Sequence, residues 1–505
     1  MSETIVPADE LPPLSHTPPS ARATTRAAMW AILDTASQTF VSILAFLIVA
    51  RLLGPEDFGV AALSFGIVQI MSLFVETLLQ DALVQREMLN RVQISSAFWW
   101  ALGSGVVAMS LLMLSAPLFA HLLDSPGITD LLRVMSMGLV FSGAGAVPIA
   151  LLRRSLSFRK LATCSIITRL VTGCTSAGLA IGGAGAFALV AQTTVAPVLM
   201  TSMVIATSGF RPALVFSWRD LRALLVFGLH VVGAQLVWLG SMRIYIVCIG
   251  FLFSPVAVGI YNIAQRVIDT ARDTISVAVS NLALPVFSRH QNDHAQLGRA
   301  VIQGTEVVAL MILPIFALIG GCASPLVHLL LTEKWMAAVP IIQLFAASAM
   351  LHFFRYLQTP AITAAGRPDI GLWLSVISGV AAFAFLFTLG RNDFFWAAAG
   401  WGFLRPLIIF PIAAATLRRV IGLRVRAQTL NGLGLALPAV AAFGVAFFVC
   451  SMIAAQYGMS GPVDFAAIVL GGLAGLATQL ALVAVSARSA LVDAYGMIRA
   501  GLKRS

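Results

Sequence analysis

The stretch RLLGPEDFG, Arg51–Gly59, interrupts one apolar run and leads into another. In a later stretch, FSPVAVGIY, Pro255 follows Pro55 by 200 residues. Gly259 follows Gly59 by the same number. Proline and glycine end one helix and allow the next to begin. The repeated break therefore predicts two equivalent helix starts in two related halves of the chain.

The composition is typical of a membrane protein. Of 505 residues, 59% are hydrophobic and 10% are charged, whereas a soluble domain has about 25% charged residues. Apolar runs recur along the chain, and runs of about 18 residues or more can cross a hydrocarbon core of ~30 Å as helices. The runs lack the alternating pattern of a β-barrel strand. The sequence therefore predicts an all-α polytopic membrane protein.

We expect about fourteen transmembrane helices in two repeats. Residues 1–27 are proline-rich and are predicted to form a disordered cytoplasmic tail. Residues 28–215 form an N-lobe with spans one to six, and residues 216–425 a C-lobe with spans seven to twelve. Residues 426–505 hold the last two spans and a basic C-terminus. An even number of spans in each half predicts two parallel six-helix bundles around a central cavity.

The basic residues predict the orientation. With a cytoplasmic N-terminus, twenty-two of the 32 Lys and Arg residues fall on cytoplasmic loops and termini, and four fall on the opposite loops. Cytoplasmic loops are enriched in Lys and Arg, so both termini are expected inside. This distribution explains most of the net charge of +11. It predicts contact with anionic lipid headgroups, and no nucleic-acid partner is expected.

The eighth span contains the densest set of polar residues. At about 100° per residue most of them fall on one helical face. The set is Asn262, Arg266, Asp269, Arg272 and Asp273. Two interpretations stay open: Asp269 forms ion pairs one turn away that fix packing, or the stripe lines a path for substrate or protons.

The second span has a matching polar face, formed by Gln69, Ser72, Glu76 and Gln80. Gln69 corresponds to Asp269 under the separation of 200 residues. Other ionisable residues within the spans are Asp34, Arg169, His230, Arg243, Glu306, His352, Arg355 and Arg405. For Glu306 and Arg405 an alternative interpretation is that they lie near the membrane–water interface, with the charged end of the side chain extended to water. Because arginine stays protonated and binds phosphate through two hydrogen bonds, the arginine-rich set favours a phosphate-bearing anionic substrate.

Four stretches resemble a known family. RLLGPEDFGVAALSFG, DALVQRE and PIALLRRSLSFRKLA in the first half, with GIYNIAQRVIDTARDTISVAVSNLALPVFSR in the second, resemble polysaccharide flippases of the MOP exporter superfamily, in the Wzx/WzxC-like branch. The resemblance implies a two-bundle transporter that moves a lipid-diphosphate-linked oligosaccharide across the bacterial inner membrane by alternating access, without ATP. It also implies that basic cavity residues meet the diphosphate, and by position these are Arg243, Arg266 and Arg272, with Asp34 in the first span.

The predicted function is therefore a flippase for exopolysaccharide, capsule or O-antigen (lipopolysaccharide) biosynthesis. The predicted substrate-binding residues are Arg243, Arg266, Arg272, Arg169, Arg355 and Asn262. The predicted ion-coupling residues are Asp34, Glu76, Asp269 and Asp273. Many family members have an acidic residue near the end of span seven, which the segment 241–245 lacks, so coupling is left open. The alternative is a cation-coupled drug or metabolite antiporter of the same superfamily that uses the acidic residues.

No catalytic motif or metal-ligand spacing is found. The five cysteines lie inside apolar runs without the spacing of a metal site. We therefore expect no enzyme activity, no cofactor and no metal. The expected partners are an undecaprenyl-diphosphate-type lipid-linked oligosaccharide, membrane lipids, and the polymerase or export machinery of the same pathway.

Overall fold

The computed structural model describes residues 41–86, 89–155, 157–289, 294–364, 367–423 and 425–486. Every regular element in these ranges is helical. Ten helical stretches in these ranges are long and apolar enough to cross a membrane, and three shorter apolar helices accompany them. The predicted all-α, multi-pass class is confirmed. The count of fourteen spans stays a prediction.

The first half of the chain folds into nine α-helices and the start of a tenth. These are α1 (Val41–Leu52), α2 (Pro55–Ser72), α3 (Leu78–Gln85), α4 (Arg91–Leu122), α5 (Gly127–Arg154), α6 (Phe158–Ile181), α7 (Phe187–Ser208), α8 (Trp218–Gln235), α9 (Ser241–Leu252) and α10 (Pro255–Arg289). Two π-helical turns interrupt otherwise continuous helices: π1 (Leu73–Thr77) joins α2 to α3, and π2 (Leu236–Gly240) joins α8 to α9.

The second half continues with eight more α-helices. These are α11 (His294–Gly321), α12 (Ala323–Leu331), α13 (Val339–Ala364), α14 (Pro368–Thr388), α15 (Phe394–Ala399), α16 (Arg405–Ile421), α17 (Val425–Tyr457) and α18 (Gly461–Ser486). A third π-helical turn, π3 (Gly400–Leu404), joins α15 to α16, and a 3-10 turn (Glu333–Ala338) precedes α13.

Local sequence explains where several helices begin and end. Pro55 occupies the first turn of α2, where its missing N–H removes no helical hydrogen bond. Asn90 and Gln93 form a reciprocal capping box at the start of α4. Gly209 and Gly422 follow α7 and α16 with φ of 65° and 71°, a left-handed conformation that glycine adopts without steric strain.

The chain divides into two compact units, Met1–Gly259 and Ile260–Ser505. In the first unit α5 packs against α4 and α7, and α6 packs against α7. In the second unit α11 packs against α13 and α17, and α17 packs along α18. The division into an N-lobe, 28–215, and a C-lobe, 216–425, describes two transport bundles and stays a prediction.

In the first unit the span α2–π1–α3 runs antiparallel to the span α8–π2–α9. Helix α2 packs on α9, and α3 packs on α8. Glycines set the close approach: a methyl group on Gly228 would overlap the carbonyl oxygen of Leu78, and one on Gly66 would lie 3.8 Å from Val247. Helix α8 also packs against π1.

The two repeated helix starts meet inside the first unit. A methyl group on Gly59 would overlap the carbonyl oxygen of Pro255, and one on Gly259 would overlap that of Pro55. The contact is reciprocal, so the two equivalent segments approach each other through equivalent atoms. The glycines that mark the repeat in the sequence are therefore required by a backbone-to-backbone contact.

In the second unit the last two helices pack closely through small residues. A methyl group on Gly475 would lie 3.0 Å from the carbonyl oxygen of Ala442, and one on Gly471 would lie 3.2 Å from that of Ala446. Small residues allow helix backbones to approach in membranes, where dispersion contacts and interhelical hydrogen bonds drive association. The pair α17–α18 is therefore a tightly packed part of this unit.

Candidate transport site

The polar stripe of the second span lies on α2, π1 and α3. Gln69, Ser72, Glu76 and Gln80 are each partly buried, and Glu76 lies inside π1. A π-helical turn displaces the helix by one residue and occurs often at functional sites. The stripe predicted from helical periodicity therefore forms along an irregular helix.

Helix α5 supplies a partner for Glu76. The Ser142 side chain of α5 interacts with the Glu76 carboxylate. Gly143 makes this approach possible, because a methyl group there would lie 3.3 Å from Val75 and would overlap the carbonyl oxygen of Ala101. The acidic residue is thus held by a contact between helices.

Arg153, near the end of α5, faces the same stripe. Its guanidinium donates to Gln80 Oε1 at 3.3 Å, and its positive charge acts on Glu76. The sequence placed Arg153 with the basic residues of a cytoplasmic loop. In the structure Arg153 contacts the polar stripe of the second span. The sequence pattern of α5 could not predict this contact, because it joins residues 73 positions apart.

Arg243 lies in α9, three residues after π2. Its guanidinium carbon is 5.0 Å from the centre of the Phe65 ring, a cation–π contact. Arg243 lies beside Gly66, and the neighbouring Gln69 has a buried Oε1 atom with no hydrogen-bond partner among the described residues. A buried acceptor without a partner is unfavourable. This part of the first unit therefore combines a guanidinium, an aromatic face and an amide that is open to further hydrogen bonding.

In the second unit the eighth span forms α10, an unbroken α-helix of 35 residues. Asp269 and Arg272 form an ion pair of 2.8 Å within this helix. Asp269 therefore forms an ion pair one turn away, with Arg272, as the first of the two interpretations predicted. Arg266 is exposed and Asn262 is partly buried.

The remaining predicted residues are separate from these contacts or lie outside the described part of the chain. Arg169 lies in α6 and is partly buried. Asp34 is outside the described residues. Arg355 and Asp273 lie within α13 and α10, but their side chains are outside the described set. The roles assigned to all of these residues stay predictions.

Arg405 is buried, with 9% of its surface exposed. It follows π3 directly, its guanidinium carbon lies 4.1 Å from the centre of the Trp401 ring, and its Nε donates to Ser378 Oγ at 3.3 Å. The alternative of a side chain extended to water at an interface is therefore wrong for Arg405. In the described part of the chain, each of the three π-helical turns contains or closely precedes an ionisable residue, a feature that helical periodicity cannot show.

A family model described as "Polysaccharide biosynthesis protein" matches residues 48–340, which is more than half of the chain. The chain belongs to this family of polysaccharide biosynthesis proteins. It is similar to the succinoglycan biosynthesis transport protein ExoT of Rhizobium meliloti (strain 1021), with 27% identity over 363 residues, 72% of this chain and 73% of that protein. It is 22% identical over 358 residues to the lipopolysaccharide biosynthesis protein WzxC of Escherichia coli (strain K12), covering 69% of this chain and 71% of that protein.

Among solved structures, the lipid II flippase MurJ in an inward closed conformation aligns with this polysaccharide biosynthesis protein at a TM-score of 0.70. The alignment covers 91% of this chain and 100% of that chain, at 13% identity, and shows the fold. The predicted membership among MOP-superfamily polysaccharide flippases is confirmed. So is the prediction of a transporter and not an enzyme.

Proposed function

We propose that this transporter moves a lipid-diphosphate-linked oligosaccharide, of the undecaprenyl-diphosphate type, across the bacterial inner membrane. Relatives named for succinoglycan transport and lipopolysaccharide biosynthesis support this function over the alternative of a drug or metabolite antiporter. The orientation with both termini in the cytoplasm follows the distribution of Lys and Arg. In this orientation the saccharide is loaded at the cytoplasmic face and released at the opposite one.

The observation that carries the proposal is Arg243, a permanently charged side chain in an apolar helix. A charge in a membrane-spanning segment is unfavourable unless it faces a cavity or a partner. Guanidinium binds phosphate oxygens through two parallel hydrogen bonds. The Phe65 ring keeps part of the guanidinium plane desolvated, which strengthens its attraction for an anion. We assign Arg243 to the diphosphate, with Arg266 and Arg272 as further basic contacts.

The test is polymer export in a deletion strain complemented with Arg243→Ala, Arg266→Ala or the double variant. We expect each single variant to lose export while the protein stays in the membrane at the wild-type level. Lipid-linked intermediates should accumulate, because their synthesis precedes the blocked step. Arg243→Lys should restore export in part, since lysine keeps the charge but not the paired hydrogen bonds.

Arg391→Ala provides the matched control, because Arg391 is an exposed arginine of the turn between α14 and α15. It should export normally. Normal export by both Arg243→Ala and Arg266→Ala, and by the double variant, would contradict the assignment of these arginines to the diphosphate.

Glu76 is the ion-coupling residue that we favour among the predicted four. Its carboxylate interacts with Ser142 and with the positive charge of Arg153, both on α5, so a change in its ionisation alters contacts between α5 and π1. Such a change links proton or cation binding to the geometry of two spans. Glu76→Gln should therefore abolish the dependence of transport on a proton or sodium gradient in proteoliposomes. Unchanged gradient dependence in Glu76→Gln would rule out this role.

A further inference from the structure

A histidine in the second unit lies between two carboxylates. His328 is in the last turn of α12, and its Nδ1 atom lies 2.5 Å from Asp464 Oδ2. Its Nε2 atom lies 3.5 Å from Glu333 Oε1. A neutral imidazole has one N–H, whereas an imidazolium has two. Both ring nitrogens can therefore donate to a carboxylate when the ring is protonated, and the geometry favours that form.

Asp464 makes this site unusual. It lies in the first turn of α18 and is 2% exposed, while Glu333 is 86% exposed. A buried carboxylate is costly unless it is paired and hydrogen-bonded. The N-terminal end of a helix favours negative charge, and the imidazolium supplies the ion partner. His328 thus joins a buried anion on α18 to a solvent-exposed anion on the turn after α12.

The backbone between His328 and Glu333 is held in a rare conformation. Thr332 has φ of 83° and ψ of 171°, a region that is essentially restricted to glycine. Its N–H donates to the carbonyl oxygens of Val327 and His328 at 3.1 and 3.3 Å. This sharp turn returns the chain so that Glu333 meets the second ring nitrogen. Strain of this kind persists where the surroundings impose it and often marks a functional position.

The other titratable groups around α12 do not replace this arrangement. Helices α11, α13 and α17 also pack against α12. Of these, α17 contributes Cys450, whose Sγ atom lies 3.5 Å from that of Cys322, the residue that precedes α12. Lys334 follows Glu333 in the same turn. Within the described residues, no group of three or more His, Cys, Asp or Glu side chains is arranged to hold a metal ion.

We propose that His328, Asp464 and Glu333 form a proton-binding site that fastens α18, and with it the final helix pair α17–α18, to α12. Binding of a proton supplies the second N–H and completes both contacts. Loss of the proton leaves one carboxylate, buried or exposed, without its donor. The site is separate from the proposed transport residues and does not depend on the proposed function.

The direction of the pH dependence follows from the pKa of His328. The hydrogen bond from the ring to Asp464 raises this pKa above its ordinary value, burial opposes the rise, and Glu333 adds to it. A group with a raised pKa in the folded state contributes stability that is fully present below the ordinary pKa, about 6.5 for histidine. That stability is lost as the pH rises through the raised value. The attachment of α18 should therefore weaken in alkaline solution.

The test is thermal unfolding of the purified full-length protein in detergent, measured across a pH series. The wild type should show a fall in Tm as the pH rises through the folded-state pKa of His328. His328→Asn keeps one amide donor but cannot take up a proton. It should lower Tm by a few degrees at about pH 6, below the ordinary pKa of histidine, and match the wild type in alkaline solution once the wild-type ring has lost its proton.

His121→Asn is the matched control, because His121 is an exposed histidine at the end of α4 in the other unit. It should retain the wild-type pH profile. NMR of protein with ¹³C-labelled histidine provides a direct readout, with the His328 signal identified by its absence in His328→Asn. That signal should titrate above the ordinary histidine range in the wild type, and Asp464→Asn should move it back towards that range.

Two results would overturn the proposal. One is a decrease in the Tm of His328→Asn, relative to the wild type, that is the same at every pH. This result would indicate a structural contact without proton binding. The other is a His328 signal that titrates at or below the ordinary range. The NMR result stands even where the Asp464 variant fails to fold, because it is measured on the wild type.

Discussion

The second and eighth spans start in the same way and then differ. Both begin with a proline and a glycine four residues later, and the two starts touch reciprocally in the first unit. The second span is then interrupted by π1, whereas α10 continues as one α-helix. In the second span the polar residues contact α5, while the described ion pair of α10 lies within the helix. Equivalent positions in a repeat thus acquire different partners.

This difference indicates which stripe is sensitive to movement of its neighbours. An ion pair within one helix travels with that helix and changes little when other helices move. A carboxylate held by a second helix responds when the two helices separate. We therefore expect loss of the acidic residue to have a larger effect in the second span, at Glu76, than in α10, at Asp269.

The largest effect should come from the shared feature, the contact between the two helix starts. Gly59→Ala or Gly259→Ala places a methyl group against a backbone carbonyl, and overpacking of this kind costs about 1–3 kcal/mol or more. Both variants should show a markedly lower Tm or a lower membrane yield. Gly54→Ala is the control, because a methyl group there meets no atom within 4 Å. Equal stability of all three would contradict the reciprocal contact.

Next comes the comparison of Glu76 with Asp269. Glu76→Ala removes the interactions of this carboxylate with Ser142 and Arg153 of the neighbouring helix, a loss of about 1–3 kcal/mol. Asp269→Ala removes a pair within one helix. In the deletion strain we expect Glu76→Ala to reduce polymer export by about tenfold or more, with Asp269→Ala near the wild type. The reverse order of the two variants would place the sensitive stripe on α10.

A smaller effect is expected for Arg153→Ala. The hydrogen bond from Arg153 to Gln80 is exposed, and exposed interactions of charged groups contribute about 0–1 kcal/mol. Tm should fall slightly, and Gln80→Ala combined with Arg153→Ala should cost no more than the larger single change. Additive losses in this double-mutant cycle would show that the two side chains act independently.

The smallest effect should come from Arg272→Ala. The pair with Asp269 is partly exposed and one turn apart, and such pairs contribute about 0.2–0.5 kcal/mol in a helix. Tm should therefore change by about a degree or less. A large loss of stability would show that Arg272 has a partner beyond its own helix. This small effect concerns stability alone: lost export at normal stability is the result expected from the proposed contact of Arg272 with the diphosphate.

Much of the fold followed from the sequence because composition and period are local properties. Apolar runs long enough to span a bilayer must form helices, since hydrocarbon offers no partner to backbone polar groups. The repeat of Pro55 and Gly59 at Pro255 and Gly259 also predicted equivalent helix starts. Periodicity placed Glu76 and Gln80 on one face, as the structure has them.

The partners of those residues could not be predicted in the same way. Ser142 and Arg153 are distant in the chain from Glu76 and Gln80, and their contacts depend on how closely α5 approaches at Gly143. The π-helical turns could not be predicted either. An extra residue in one turn requires no particular residue type, and it shifts the polar face by only one position. Arg405 was mistaken for a residue extended to water, since its burial depends on Trp401 and Ser378.

The sequence by itself determined that this chain spans a membrane with helices, that one helix start with proline and glycine recurs 200 residues later, and that arginines lie within its apolar segments. These properties depend on residue type and on spacing along one helix. Only the tertiary structure decided that Glu76 is held by α5, that Arg272 is paired within α10, and that His328 joins α12 to α18. The physical reason is that a charge in a membrane is stabilised by whichever group the packing brings near it, and packing joins residues that are far apart in the chain.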